Sequence, residues 1–211
     1  MREERFLKRE YRWQLSAFIV FNLCVFWTII VIKDISLSKI ETILSSFSLQ
    51  KGALAVLLPL LTVILNGTLP NNLKAILVFW EIRNPLPGSR VFTDLALKDP
   101  RIDLDKIKQK YGNLPTLPSE QNRLWYKIYK HHKSKITILE SHKDFLLTRD
   151  LASVSAIFLL CFTLPTILSS GSIKIKYGYI TFLIFQYIIL AIVAKNYGER
   201  FVCNVLAEES V

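Results

Sequence analysis

Charged residues are absent from four long stretches of this 211-residue chain, and cysteine and glycine are scarce throughout it. The three cysteines form no C-x-x-C pair and no even set, which excludes a disulfide framework and favours a reducing, metal-free setting. The seven glycines provide no phosphate-binding loop, and no serine lies in a G-x-S-x-G nucleophile elbow. The sequence therefore lacks the motifs that mark common enzyme classes.

The four uncharged stretches belong to a chain that is 51% apolar and yet carries a formal net charge of +10, so its charges must be segregated. Each stretch has the length of roughly 17–25 residues that a membrane-spanning helix needs. The stretches cover residues 14–32, 52–69, 151–173 and 177–194. We therefore predict an all-α integral membrane protein with four transmembrane helices. No small-residue cleavage site follows the first stretch, which favours a retained anchor.

Lysine and arginine predict the orientation of these spans, because cytoplasmic segments retain positive charge. Of the 27 basic residues, 22 fall in the N-terminal segment, in the segment between the second and third spans, or in the tail. The other two loops hold only five, among them Lys174 and Lys176 in the predicted loop between the last two spans. Both termini and the long middle segment are therefore predicted to be cytoplasmic.

This topology divides the chain into five parts. They are a basic N-terminal arm (1–13), a first transmembrane hairpin (14–69), a basic cytoplasmic domain (70–150), a second transmembrane hairpin (151–194) and a cytoplasmic tail (195–211). Residues 73–82, LKAILVFWEI, are too few to span a membrane. They carry charge only near their two ends, and Lys74 lies near the N-terminal one. They predict an interfacial helix, or equally a buried helix of the cytoplasmic domain.

The rest of the cytoplasmic domain carries local helix signals. Asp99 before a proline predicts the N-cap of a short helix that Gly112 ends. Ser119 begins a second helix, which breaks near Ser134 and then runs into the third span. The tail predicts a short amphipathic helix that packs on this domain, with Phe201, Val202, Val205 and Leu206 on one side.

Cations alternate with aromatic residues in the stretch 122–135, NRLWYKIYKHHKSK. Its basic residues are Arg123, Lys127, Lys130, Lys133 and Lys135. Trp125 and Ile128 lie one helical turn apart, which predicts a helix with a buried apolar side and a basic side facing lipid headgroups or an acidic protein. Nucleic acid is a less favoured partner, because these aromatics resemble packing residues rather than base-stacking platforms. A merely solvated charged face is the remaining alternative.

Three histidines are the only imidazoles in the chain: His131, His132 and His142. A metal shared by His132 and His142 would need a helix break between them, and we predict no metal site and no cofactor. Nucleophilic catalysis needs a serine or cysteine held by a histidine, and the sequence shows no such arrangement. A membrane enzyme acting around His142 and Asp144 is therefore the least favoured function.

The predicted spans contain no ionisable group of the kind that proton relays and ion sites use. They do contain Asn22 in the first span and Gln186 in the fourth. Each lies eight residues from the end of its span that we predict to be cytoplasmic, so both lie at a similar depth of roughly 12 Å. This placement predicts a hydrogen bond between the two helices, or else a bond from each side chain to its own backbone.

Three short stretches resemble small bacterial membrane proteins of phage-defence loci: LPGSR at 86–90, LPSEQNRLWYK at 117–127 and GERFVCNVL at 198–206. In size and layout the chain is most similar to the four-span KwaA family of Kiwa-type systems. The resemblance is one of layout over the whole chain. It implies a bacterial inner-membrane, non-enzymatic oligomer that takes part in antiviral defence and works with a cytosolic partner protein.

Three functions are compatible with the sequence. The first is a membrane sensor or scaffold that recruits a cytosolic effector through the basic domain, with membrane lipids and further copies of itself as other partners. The second is a gated pore, or membrane-disrupting effector, formed by spans of several copies. The third is the membrane enzyme described above.

Overall fold

In a computed structural model of the protein, the structure describes residues 10–31, 64–65, 67–169 and 171–211. The α-helices in chain order are α1 (Arg12–Val31), α2 (Asn71–Phe79), α3 (Ala96–Lys98), α4 (Leu104–Tyr111), α5 (Pro118–His132), α6 (Ile136–Leu168) and α7 (Ile173–Glu209). A 3₁₀ turn (Pro87–Arg90) and a π turn (Val91–Leu95) lead into α3. No strand occurs in these ranges, so the predicted all-α fold class is confirmed for them.

Three helices, α1, α6 and α7, are long and apolar enough to cross a membrane. They correspond to the first, third and fourth predicted spans, and they make the chain a candidate multi-pass membrane protein. Most of the second predicted span, 52–69, lies outside the described residues. The four-span topology therefore stays a prediction.

The loop between the last two predicted spans lies earlier in the chain than predicted. Helix α6 ends at Leu168 and α7 begins at Ile173, so Lys174 and Lys176 lie in the first turn of α7 rather than in a loop. Both lysines were predicted to lie in a loop because they are charged. A lysine near a helix end can, however, direct its ammonium beyond the apolar part of the helix. The Lys176 ammonium donates to the Ile167 carbonyl over 2.9 Å, which satisfies one of the free carbonyls at the end of α6.

Helices α6 and α7 run antiparallel and continue past their apolar parts without a break. The tail is therefore not the separate short helix that we predicted, but the last part of α7, since no proline interrupts that part. Its apolar residues do pack inward, because Phe201, Val202, Val205 and Leu206 are all buried. We call residues 71–150 and 195–211 together the head, which comprises α2 to α5 and the adjoining parts of α6 and α7.

Helix α4 begins later than predicted. Its N-cap is Asp103, whose carboxylate oxygen accepts from the backbone N–H groups of Asp105 and Lys106 at 3.0 and 3.1 Å. Asp99, the predicted cap, instead binds the Arg101 guanidinium at 2.6 Å within a turn, so its carboxylate is already engaged. The predicted stop at Gly112 is confirmed, with φ of 81° and an N–H bond to the Lys108 carbonyl.

The predicted break near Ser134 is also confirmed, because α5 ends at His132 and α6 begins at Ile136. Helix α5 starts at Pro118, one residue before the predicted Ser119, since proline fits the first helical position. Helix α2 is displaced from the predicted range 73–82. It follows Pro70 and ends before Trp80, which adopts a left-handed φ of 55°.

One face of α2 packs on the long helices. Ala75, Val78 and Phe79 are buried in the head core, while Leu73 and Trp80 on the other side are exposed. Lys74, which the sequence placed near one end of this stretch, is buried. Helix α2 thus has a buried face, as predicted for a helix of the cytoplasmic domain. It also has an exposed apolar face, as predicted for an interfacial helix.

A single glycine allows α2 to approach α7 closely. A Cβ atom at Gly198 would lie 2.7 Å from Phe79 Cζ and 2.8 Å from Phe145 Cε2. Real Cβ atoms do not approach other atoms so closely, so a larger residue would displace one of the two rings. Gly198 thereby fixes the spacing of α2, α6 and α7 in the head core.

Candidate functional site

The five predicted cations lie on an exposed surface at α5 and the turn that follows it. Arg123, Lys127, Lys130, Lys133 and Lys135 are all exposed. On the opposite side of α5, Trp125, Ile128 and Tyr129 are buried in the head core. The Trp125 indole N–H donates to the Val202 carbonyl over 3.2 Å, which fixes α5 against α7. The side-chain periodicity of α5 thus turns its aromatics inward and its cations outward.

Neighbouring aromatic rings orient several of these cations. The Lys130 ammonium lies 4.7 Å from the centre of the Tyr126 ring. The ammonium groups of Lys127 and Lys110 lie 5.9 and 5.8 Å from the Tyr111 ring, so α4 adds Lys110 to the same surface. We call the five cations together with Lys110 the basic surface. Sequence analysis missed Lys110, because the placement of α4 beside α5 leaves no local signal.

The end of α7 lies beneath the basic surface. The Glu209 carboxylate forms an ion pair with Lys110, is hydrogen-bonded to the His132 ring, and accepts a 3.0 Å hydrogen bond from the Tyr111 hydroxyl. Burial, together with this bond, raises the pKa of Tyr111 to about 12, so Tyr111 stays neutral and donates. The neighbouring Glu208 binds Lys135 at 2.6 Å. The last turn of α7 thereby fastens α4, α5 and the start of α6 together.

His132 and His142 take part in the packing of the head. His142 is buried with its Nδ1 3.2 Å from the Tyr129 hydroxyl, and its ring stacks on Phe201 at 4.7 Å. His132 faces Glu209 instead, so the structure does not bring the two imidazoles together. His142 and Asp144 lie two residues apart on α6 and therefore on different faces. Among the described residues no three metal-ligating side chains form a cluster.

The two polar residues of the predicted spans meet in the structure. Gln186 Nε2 lies 3.0 Å from Asn22 Oδ1 and 3.1 Å from Ser155 Oγ, so one amide joins α7 to both α1 and α6. Asn22 also donates to its own backbone, at the Phe18 carbonyl, over 3.0 Å. Both bonds that the sequence suggested for Asn22 therefore occur together. Asn22 and Ser155 are fully buried, so this polar contact lies inside the helix packing.

A second buried polar group lies where the head meets the apolar helices, and sequence analysis missed it. Lys74 Nζ binds Asp150 Oδ1 at 3.0 Å, and the Tyr11 hydroxyl donates to the other Asp150 oxygen at 3.0 Å. Arg149 also donates to Asp150 Oδ1, at 3.1 Å. The available signals were a lone lysine in an apolar helix and an Arg-Asp pair just before an uncharged stretch.

The outward faces of the long helices are apolar. Exposed residues on α6 and α7 include Leu160, Leu164, Phe185, Ile189 and Ile192. The polar residues Asn22, Gln186 and Ser155 are turned toward one another rather than outward. The described helices therefore present hydrocarbon to their surroundings.

Comparison of the chain with protein-family models, with curated proteins and with solved structures finds no match. The resemblance to membrane components of phage-defence loci therefore stays a prediction.

Proposed function

We propose that the protein is a non-enzymatic scaffold of a bacterial inner membrane that recruits an acidic cytosolic protein to its basic surface. Both termini and the head then lie in the cytoplasm, as the distribution of lysine and arginine favours. The observation that carries the proposal is the arrangement of α5. Its apolar side is committed to the head core, while the cations of the basic surface are exposed. Exposed, clustered charge steers complementary partners.

The position of α5 favours a protein partner over lipid headgroups. Trp125 contacts Val202, and His132 contacts Glu209, so α5 runs beside the last part of α7. Val202 and Glu209 lie eight and 15 residues beyond the predicted end of the last span, which corresponds to about 12 and 22 Å of helix. The Debye length at physiological salt is about 8 Å, so the far end of α5 is screened from the headgroups.

Nucleic acid fits the same surface less well. Binding of single strands relies on aromatic faces on which bases stack. Trp125 and Tyr129 are buried, and the Lys130 ammonium lies over the Tyr126 ring. On α5 the exposed aromatic surface is therefore limited to the Tyr126 ring, fewer rings than the series of stacking platforms that such a site uses.

The apolar outward faces of the long helices favour a scaffold over a pore. A conducting pore needs polar groups or a water-filled path along one face of its helices. In the described spans the polar contact of Asn22, Gln186 and Ser155 is used within one chain. Recruitment through the head requires no such path.

The proposal is tested with Lys127, Lys130 and Lys133 changed together to Gln. The matched control changes Arg83, Lys98 and Lys108 to Gln, which removes the same charge from exposed positions elsewhere in the head. Each protein in lipid nanodiscs is titrated with a fluorescent polyglutamate peptide, and each is affinity-purified from its bacterial host after cross-linking.

We expect the first variant to bind polyglutamate at least about tenfold more weakly and to lose its cross-linked protein, while the control keeps both. Equal binding by the two variants would mean that the basic surface is only solvated. Tight binding of DNA by the unchanged protein, with a steep salt dependence, would establish nucleic acid as the partner instead. Antiviral defence, which the resemblance implies, is tested by plating phage on cells that carry either variant.

A further inference from the structure

A groove of about 500 Å³ lies between α1 and α7, within the apolar part of the protein. Phe21, Val25 and Ile29 form its α1 wall at a spacing of one helical turn. On the α7 side it is lined by Phe182, Tyr179 and, at the start of the helix, Lys174. Its volume falls within the range of about 300–1,000 Å³ that ligand pockets occupy.

The floor of the groove is open at Gly178. A Cβ atom at this position would meet nothing within 4 Å, although Gly178 lines the groove midway between Lys174 and Phe182. This openness contrasts with Gly198 further along α7, which two rings enclose. Gly178 therefore leaves space that no described side chain fills.

Tyr179 lines this space, and its hydroxyl is buried without a partner among the described residues. Tyr179 is only 4% exposed, and within the described part of the chain its hydroxyl forms no hydrogen bond. Leaving a buried donor unsatisfied is destabilising, and the hydrocarbon layer holds no water that could bind it. A ligand that brings a hydrogen-bond acceptor to this depth would remove that cost.

A cation lies above the hydroxyl, near the end of the helix. Lys174 is the second residue of α7 and, among the described residues, it forms no ion pair or hydrogen bond. It precedes Tyr179 by five residues, which places the two Cα atoms about 7.5 Å apart along the helix axis. From the helix end inward, the groove is thus lined by a lysine, by a tyrosine whose buried hydroxyl is unpaired within the described residues, and by apolar side chains.

We propose that this groove binds one anionic glycerophospholipid. That lipid class carries a phosphate, then ester carbonyls, then acyl chains in the same order along its length. The phosphate forms an ion pair with Lys174, an ester carbonyl accepts from the Tyr179 hydroxyl, and an acyl chain lies against Phe21, Val25 and Phe182. The site is independent of the basic surface, which lies in the head.

The test uses the full protein in detergent, with phosphatidylglycerol or phosphatidylcholine added and bound lipid counted by native mass spectrometry. Gly178→Leu places a large side chain in the groove, at a position where the Cβ meets no atom within 4 Å, and should lower retention of phosphatidylglycerol at least about tenfold. Tyr179→Phe removes only the hydroxyl and should weaken both lipids about fivefold, as expected for one hydrogen bond. Lys174→Gln should abolish the preference for phosphatidylglycerol. Ile189→Leu, on an exposed face that does not line the groove, is the control and should bind as the unchanged protein does.

Two results would overturn the inference. One is retention of phosphatidylglycerol by Gly178→Leu at the level of Ile189→Leu, which would show that lipid binds elsewhere. The other is dissociation of an oligomer by Gly178→Leu without any change in bound lipid per chain, which would make the groove a contact between copies. Thermal unfolding of each variant verifies that the lipid is counted on folded protein.

Discussion

The Lys74 ammonium lies 3.0 Å from Asp150 Oδ1, and the two side chains are 2% and 0% exposed. This ion pair joins α2 to α6 across 76 positions of the sequence. The Tyr11 hydroxyl binds the same carboxylate from the start of α1. One aspartate therefore ties three segments together at the boundary between the head and the apolar helices.

Breaking this ion pair should destabilise the protein strongly. Replacing Lys74 with Met removes the ammonium from a buried carboxylate that Arg149 and Tyr11 still contact, so a loss of up to about 3–5 kcal/mol in unfolding free energy is expected. Lys108→Met is the control, because the ion pair of Lys108 with Asp105 is exposed and should contribute less than about 1 kcal/mol. Unfolding by SDS in mixed micelles measures both. Similar losses in the two variants would mean that the buried pair contributes little.

The two helical glycines of α7 should respond to alanine in opposite ways. Gly198→Ala forces its Cβ against Phe79 and Phe145, and overpacking of this kind costs about 1–3 kcal/mol. Gly178→Ala meets nothing and should be neutral or stabilising by up to about 1 kcal/mol through better helix propensity. Melting temperatures in detergent, monitored by circular dichroism, separate the two. A stabilised Gly198→Ala protein would show that the rings move aside at little cost.

The contact between Asn22 and Gln186 should be measurable as a coupling energy. Replacing either residue with Leu should destabilise the assembly of the three long helices by about 0.6–2 kcal/mol. Gln186→Leu should cost more than Asn22→Leu, because Gln186 also donates to Ser155. In a double-mutant cycle the double variant should lose less than the sum of the single variants. Strict additivity would show that the hydrogen bond contributes nothing.

Cysteine labelling tests the orientation of the membrane spans. In a variant with Cys24, Cys161 and Cys203 replaced by Ser, a cysteine at Ser172 should react in intact cells with a reagent that cannot cross the membrane. A cysteine at Ser119 in the head should react only after lysis. A control cysteine at Ser45, in the first predicted outer loop, should behave as the one at Ser172 does. Labelling at Ser119 in intact cells would reverse the orientation and contradict the proposed scaffold function.

Local features of the fold could be predicted from sequence. The helix stop at Gly112, the break near Ser134 and the inward side of α5 each depend on residues within one or two turns of each other. Local signals also mislead where two of them compete. Asp99 and Asp103 both precede helical residues, and only the free carboxylate of Asp103 remains to cap α4.

Contacts between distant segments could not be predicted. The burial of Lys74 depends on Asp150, and the basic surface gains Lys110 only because α4 lies beside α5. A lysine in an apolar helix does not by itself indicate burial, since burying a charge is costly unless a partner compensates. That partner is far away in sequence, and a single sequence does not identify it.

Helix α7 continues without a break from the apolar part of the protein into the head, so a tilt of this helix moves both of its ends. Its 37 residues form a rod of about 55 Å that reaches from the predicted outer loop to the basic surface. If the rod pivots at its middle, a change in tilt of about 10° displaces its far end by roughly 5 Å. Because Glu209 holds α4 and α5 at that end, they move with it. Thinning or stretching of the bilayer would thus be transmitted to the basic surface as a rotation, without a signal passing through any flexible joint in α7.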